Sequence, residues 1–277
     1  MAFIEVEAGR LYYETHGEGP ALVFLHGLGG NHLSWWQQVP FFCERYRCVT
    51  FAHRGFSPSW EAEGGPGPAA FVDDLAALVD ALGLTDVRLV AQSMGGWTAL
   101  GHALRHPGRV RALVLSGSLG SLAHPDLDRI WSRAGEIQAD LFSRGIHPAA
   151  GERMLREQPR LHFLYERIAA LAESGGLDRK ALRARFELLP RITPGDFRAL
   201  SMPVLVVAGE EDPLLPPEAT AIAVPLLARG RLAQVARAGH STYFERPEEF
   251  NRLVGEFLEE VDGRNQYDAD GGAAGGG

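Results

Sequence analysis

The stretch "VRLVAQSMGGWTAL", residues 87–100, constrains the fold more than any other part of the chain. Val87, Leu89, Val90 and Ala91 form a short apolar run suited to a buried strand, and a helical pattern follows at once. Ser93 therefore falls on a corner between strand and helix. So sharp a corner forces the side chain outward above the sheet, and its neighbours must be small to avoid collision. Ala91 and Gly95, two positions away on either side, meet that need, although Ala91 departs from the usual G-x-S-x-G. A helix starting after Ser93 points its dipole and free N–H groups at whatever the serine attacks.

Apolar runs that stop abruptly recur along the chain. They are "ALVFLHGLGG" (21–30), "YRCVTFAHRG" (46–55), "VRALVLSG" (110–117), "PVLVVAGEED" (203–212) and "RLAQVARAGH" (231–240). Between them lie helical stripes such as Phe71, Leu75, Leu78 and Leu82. Strands alternating with helices imply an α/β fold, a mostly parallel doubly wound sheet covered on both faces. In such sheets ligands bind beyond the carboxyl ends of the strands. Residues 121–198 are rich in Arg, Ala and Leu and carry no strand pattern, so a helical cap insertion is expected there. The core domain then comprises 1–120 and 199–262. The tail 263–277 is too poor in apolar residues to pack and is expected to be disordered.

Serine alone is a weak nucleophile; it needs a base and a group that orients the base. On this architecture the acid and then the histidine follow in chain order, each just after a strand. Asp212 in "VLVVAGEEDPLLP" and His240 in "LAQVARAGHSTYF" occupy those places, with Glu210 and Glu211 as alternative orienters. The glycine-lined turn "HGLGG" places the Leu28 N–H beside that of Met94, the residue after the nucleophile, as an oxyanion hole. Gly27 and Trp131 are expected to contact substrate, together with the strand-end residues His26 and His53. For His26, bracing the oxyanion turn is the favoured role. Trp97, one turn beyond Ser93, is assigned to the core.

The chain resembles the α/β-hydrolase fold superfamily, in its compact form with a helical lid, over about residues 3–262. The segments that carry the resemblance are "FLHGLGG", "HRGFSPS", "AQSMGGWTAL", "HPGRVRALVL", "GEEDPLLP" and "AGHSTYFERPEEFNRLV". It implies a Ser-His-Asp triad but not a substrate, because "SMGG" occurs in esterases, cofactor-free haloperoxidases and carbon–carbon bond hydrolases alike. Meta-cleavage hydrolases usually carry Trp after the catalytic His, where this chain has Ser241. Dehalogenases and epoxide hydrolases use an Asp nucleophile, which Ser93 excludes. The family's D-x-R-G-x-G-x-S becomes "AHRGFSPS", with Ala52 for the usual Asp and Ser57 for the second Gly. A rearranged loop is expected there.

A formal net charge of -8 argues against nucleic acid as a partner. Cys43 and Cys48 are too few for a disulfide framework, and their spacing does not suit a zinc site. His102 and His106 lie four apart on one helix but lack a third ligand. No metal or cofactor is implied. The N-terminus lacks a signal-peptide pattern, and no apolar run approaches the ~18 residues that span a bilayer. A cytoplasmic enzyme follows, a monomer or homodimer with a small-molecule substrate and no membrane partner. The leading function is hydrolysis of a small ester or lactone through an acyl-enzyme. The alternative is a cofactor-free lyase, cyclase or oxygenase of secondary metabolism with His240 as general base.

Overall fold

Apolar runs without polar alternation become strands covered on both faces. The computed structural model describes residues 2–270, with side-chain surroundings through residue 263. Its strands are β1 (Ala2–Val6), β2 (Gly9–His16), β3 (Ala21–Leu25), β4 (Arg47–Phe51), β5 (Trp60–Glu61), β6 (Val87–Gln92), β7 (Val110–Ser116), β8 (Val204–Gly209) and β9 (Gly230–Val235). They form one sheet in the order β1-β2-β4-β3-β6-β7-β8-β9, with β5 paired to β2. The pairs β1/β2 and β2/β4 are antiparallel; from β4 to β9 every pair is parallel. Every residue of β3, β6 and β8 is buried.

The helices are α1 (Val39–Phe42), α2 (Phe71–Ala81), α3 (Met94–Arg105), α4 (Pro125–Ser143), α5 (Gly151–Glu157), α6 (Pro159–Glu173), α7 (Arg179–Glu187), α8 (Pro194–Ala199), α9 (Pro217–Ala223), α10 (Thr242–Glu245) and α11 (Pro247–Asp270). Successive strand residues face opposite sides of the sheet and so enter different cores. Val23, Leu25, Leu89, Ala91, Leu113 and Val206 pack with Leu75, Leu78 and Leu100 of α2 and α3. Leu22, Phe24, Val90, Val114 and Val207 pack with Phe42, Phe250, Val254 and Leu258 of α1 and α11. Pro225 ends α9 at Ala223, and a 3-10 turn over Val224–Leu226 takes up the rest of that segment. Helix α11 runs through the first part of segment 263–277; residues 271–277 of the expected tail lie outside the described residues.

Helices α4 to α8 lie between β7 and β8, as the strand-free composition of 121–198 predicts. An isolated parallel bridge between Leu122 and Ile192 joins the two ends of the insertion. Helix α7 starts at Asp178, whose carboxylate accepts the N–H groups of Lys180 and Ala181 at 2.9 and 3.0 Å. Among the described residues no helix is long and apolar enough to cross a membrane. Cys43 and Cys48 are both free thiols.

The loop after β4 carries the departure at Ala52. Its arginine, Arg54, is buried and donates Nε to Asp74 of α2 at 2.6 Å, with a second guanidinium nitrogen on the other carboxylate oxygen. Arg54 also donates to the Glu7 carbonyl at 3.0 Å. Ser59 adds a second tie, donating to the Ala52 carbonyl at 2.7 Å and accepting from the Tyr12 N–H at 2.8 Å. A buried charge left without its partner is strongly destabilising. Asp74→Ala leaves the buried Arg54 only the Glu7 carbonyl and Glu61 at 3.5 Å, and is expected to lower unfolding free energy by about 3 kcal/mol, measured by urea denaturation. A loss within the scatter of surface variants would show that the pair does not anchor this loop.

Candidate active site

Ser93 sits at φ 49°, ψ -114°, a conformation that L-residues avoid, between the last residue of β6 and the first of α3. Its N–H donates to the Ser116 carbonyl at 2.9 Å. Its own carbonyl accepts from the Gly96 N–H at 2.9 Å and the Ser118 hydroxyl at 2.7 Å. The corner fits because two neighbours lack side chains. A Cβ on Gly95 would lie 2.4 Å from the Leu25 carbonyl oxygen, and one on Gly27 would lie 1.9 Å from Gln92 Oε1. The Gly27 turn is thereby pressed against the serine, with that Cβ position only 3.2 Å from the Cβ of Ser93.

His240 follows β9, and Asp212 follows β8. His240 Nδ1 lies 2.9 Å from Asp212 Oδ2 and 3.1 Å from Oδ1, and both side chains are buried. Asp212 Oδ1 also accepts the N–H groups of Leu214 and Leu215 at 2.7 and 2.9 Å, which fixes the carboxylate. An ionised carboxylate only accepts, so the Nδ1 facing it carries the proton and Nε2 is left as the basic nitrogen. That Nε2 is buried and has no hydrogen-bond partner, Ser93 included. Of the alternative orienters, Glu211 pairs instead with Arg153 of α5, through Arg153 Nε at 2.9 Å.

The amides of Leu28 and Met94 enter no hydrogen bond among the described residues. His26 holds the Leu28 turn from behind. Its Nδ1 donates to the Gly27 carbonyl at 2.7 Å, and its Nε2 accepts the His53 N–H at 2.9 Å. The His53 ring continues the chain, with Nδ1 3.1 Å from His26 Nε2 and Nε2 3.2 Å from Thr98 Oγ1 of α3. Burial pushes His26 down to about 3 and His53 well below the usual histidine range, so both are neutral. Both residues are buried and neither is among those that line the cavity at Ser93, so the hydrogen bonds of His26 are those of a brace. Glu245, which the sequence reading missed, is buried behind His240 and accepts the Gly239 N–H at 3.0 and 3.2 Å. Burial raises it to about 7.

Ser93, Met94, Leu28 and His240 share the wall of a cavity of about 300 Å3. The family model for the α/β hydrolase fold matches residues 20–247 of this chain. The chain belongs to the α/β-hydrolase fold family. It is 30% identical to the "Putative non-heme bromoperoxidase BpoC" of Mycobacterium tuberculosis (strain ATCC 25618 / H37Rv), covering 91% of this chain and 98% of the relative. To the 2-hydroxymuconate semialdehyde hydrolase of Pseudomonas sp. (strain CF600) it is 31% identical, covering 93% and 94%. Among solved structures it is similar to Est816, described as an N-acyl homoserine lactone degrading enzyme. The TM-score there is 0.76, with 26% identity, 92% of this chain and all of the other covered.

The hydrolase-fold core supplies one wall of the cavity and the insertion supplies the other. From the insertion come His147, Ala149, Tyr165, Arg179, Arg183, Phe186 and Glu187; the sequence names none of them individually, and reads the arginines of the insertion as a mostly solvated face with binding of an acidic substrate as the lesser alternative. Trp131 is not on this wall; it packs against the core cluster beside Ile130. Trp97, assigned to the core, lines the cavity and meets Phe186 edge-on at 5.1 Å. Gly27 shapes the turn but is not among the lining residues. Tyr165 accepts from the Ser241 hydroxyl at 3.4 Å, and its own hydroxyl lies beside the Gly29 backbone. A larger groove of about 1060 Å3 between α4 and α9 touches Asp212 but neither Ser93 nor His240. Among the described residues no group of three or more metal-ligating side chains occurs.

Two expectations follow. Removing the Cβ at a strained positive-φ position relieves the strain, so Ser93→Gly should raise stability by about 1 kcal/mol in urea melts. A loss of stability would show that the corner is not strained. Burial also depresses His102 and His147, each to about 4. The unfolded chain then takes up protons near about pH 6.5 that the folded chain refuses. The stability present above that pH is lost as pH falls from about 6.5 towards 4. His26→Asn should flatten this slope of Tm against pH, and an unchanged slope would mean that His26 is already charged.

Proposed function

We propose that this chain is a serine hydrolase that cleaves a small carboxylic ester or lactone through an acyl-enzyme. The observation that carries the reading is the Asp212–His240 pair, whose Nε2 has no hydrogen-bond partner and whose histidine shares a cavity wall with Ser93. His240 Nε2 takes the Ser93 proton as Oγ attacks the carbonyl carbon. The Leu28 and Met94 N–H groups take up the charge on the tetrahedral oxygen. The imidazolium, steadied by Asp212 at Nδ1, then protonates the leaving alcohol oxygen, and the carbon–oxygen bond breaks. Water, deprotonated by His240, repeats the attack on the acyl-enzyme and releases the acid and Ser93. The missing Ser93–His240 hydrogen bond fits this scheme, because such bonds are often long in free enzymes and tighten with substrate.

The same unpartnered Nε2 also favours a second reading. His240 alone could move a proton on a bound substrate while Ser93 only orients it, with no covalent step. The two readings separate on one pair of variants. On the hydrolase reading, a fluorophosphonate labels Ser93, and Ser93→Ala and His240→Ala each lower turnover of activated esters by about 10^4-fold or more. Substantial activity in Ser93→Ala, with loss in His240→Ala, would replace hydrolysis with proton transfer.

A further inference from the structure

We infer that the acyl group this cavity accepts ends in a carboxylate, bound by Arg183 and Arg179 of α7 opposite the nucleophile. The inference rests on the hydrolase reading above and names the substrate class for the same site. Arg179 and Arg183 are four residues apart on one helix and so share a face. Both line the cavity with Ser93 and His240. Arg183 makes no ion pair or hydrogen bond with another side chain among the described residues. Arg179 is ion-paired through Nε with Glu173, and its terminal nitrogens have no partner there.

The remaining polar residues of the wall are consistent with that assignment. His147, pushed down to about 4 by burial and then by the Arg179 and Arg183 charges, is neutral and adds no competing cation. Its Nδ1 accepts the Ala149 N–H at 3.2 Å, which leaves the other ring nitrogen as a donor. Glu187 is the only acid among the residues that line the cavity, and with Arg179 already paired to Glu173 it is Arg183 that is left to meet a bound anion. Leu28, Trp97 and Phe186 give the same cavity an apolar wall. Such a cavity suits an acyl chain with an apolar middle, a reacting carbonyl at Ser93 and a carboxylate at the far end. Guanidinium is the side chain best matched to that terminal group, because its fork meets both carboxylate oxygens.

The test compares the mono-4-nitrophenyl esters of adipic and suberic acid with 4-nitrophenyl hexanoate and octanoate, matched in chain length. The inference expects kcat/KM for the acidic esters to exceed the neutral ones tenfold or more at low salt, which is about 1.4 kcal/mol. It expects this ratio to fall at least fivefold in Arg183→Gln, to survive in part in Arg183→Lys, and to shrink with added salt. An acidic-to-neutral ratio near one in the wild-type enzyme, or one that Arg183→Gln leaves unchanged, overturns the carboxylate subsite; Ser93 labelling then still supports the hydrolase. Absence of both labelling and turnover with all four esters would instead remove the hydrolase reading, and the subsite with it.

Discussion

The active edge of this enzyme depends on a single backbone reversal, the turn at residue 93 from β6 into α3. Holding a residue in such a conformation costs of order 1–3 kcal/mol, and it persists only when its surroundings over-determine it. Here β6 is hydrogen-bonded on both sides, to β3 and β7, and every residue of it is buried. The corner itself is tied to β7 through Ser116 and to the loop beyond through Ser118. Helix α3 must also lie almost on the end of β3, which is possible only while residue 95 has no side chain. The strained corner at 93 thus goes with sheet order: it lies at the end of a strand paired in parallel on both sides.

The glycine turn after β3 is fixed from the same place. His26 joins the Gly27 carbonyl to the backbone of residue 53, and His53 passes the connection to Thr98, a little over one turn beyond Ser93. One buried thread therefore holds both expected oxyanion donors, one on the loop after β3 and one at the start of α3. The thread works only with neutral rings. A proton on His26 Nε2 would set a donor against the His53 N–H that it now accepts. Burial supplies that neutrality, since an imidazolium with no carboxylate beside it is costly to desolvate.

The core and the places of Ser93, Asp212 and His240 at strand ends were legible in the sequence. Ser93 and Asp212 follow strands buried on both faces, which announce themselves as unbroken apolar runs, whereas His240 follows the largely exposed edge strand β9. Asp212 and His240 could be read from the ends of their strands; that Glu211 turns away to Arg153 could not, because the choice among three adjacent acids is made by the cap. The Ala52 departure signalled a rearranged loop, but not that Arg54 would reach across to Asp74, twenty positions on in a different element. Trp131 lies off the cavity wall, while Trp97 both packs against the cluster of Phe71, Met94 and Phe186 and lines the cavity. Periodicity says that a helix has a buried side; it does not say whether that side meets the core or the substrate.

The arginines of α7 show the same limit and explain it. Leu182 and Phe186 form the buried stripe of that helix, packed with Met94, Phe71 and Ala172 in the cluster that seats the cap on the core. Arg179 and Arg183 lie one step around the helix, at the border of that stripe, where composition alone reads them as solvated. Because Met94 belongs to that same cluster, the seating of α7 and the position of an expected oxyanion donor are not independent. A change that loosens Phe186 disturbs the cluster in which α7 and Met94 both pack. One small apolar cluster thus couples the placement of α7 to the backbone at the start of α3.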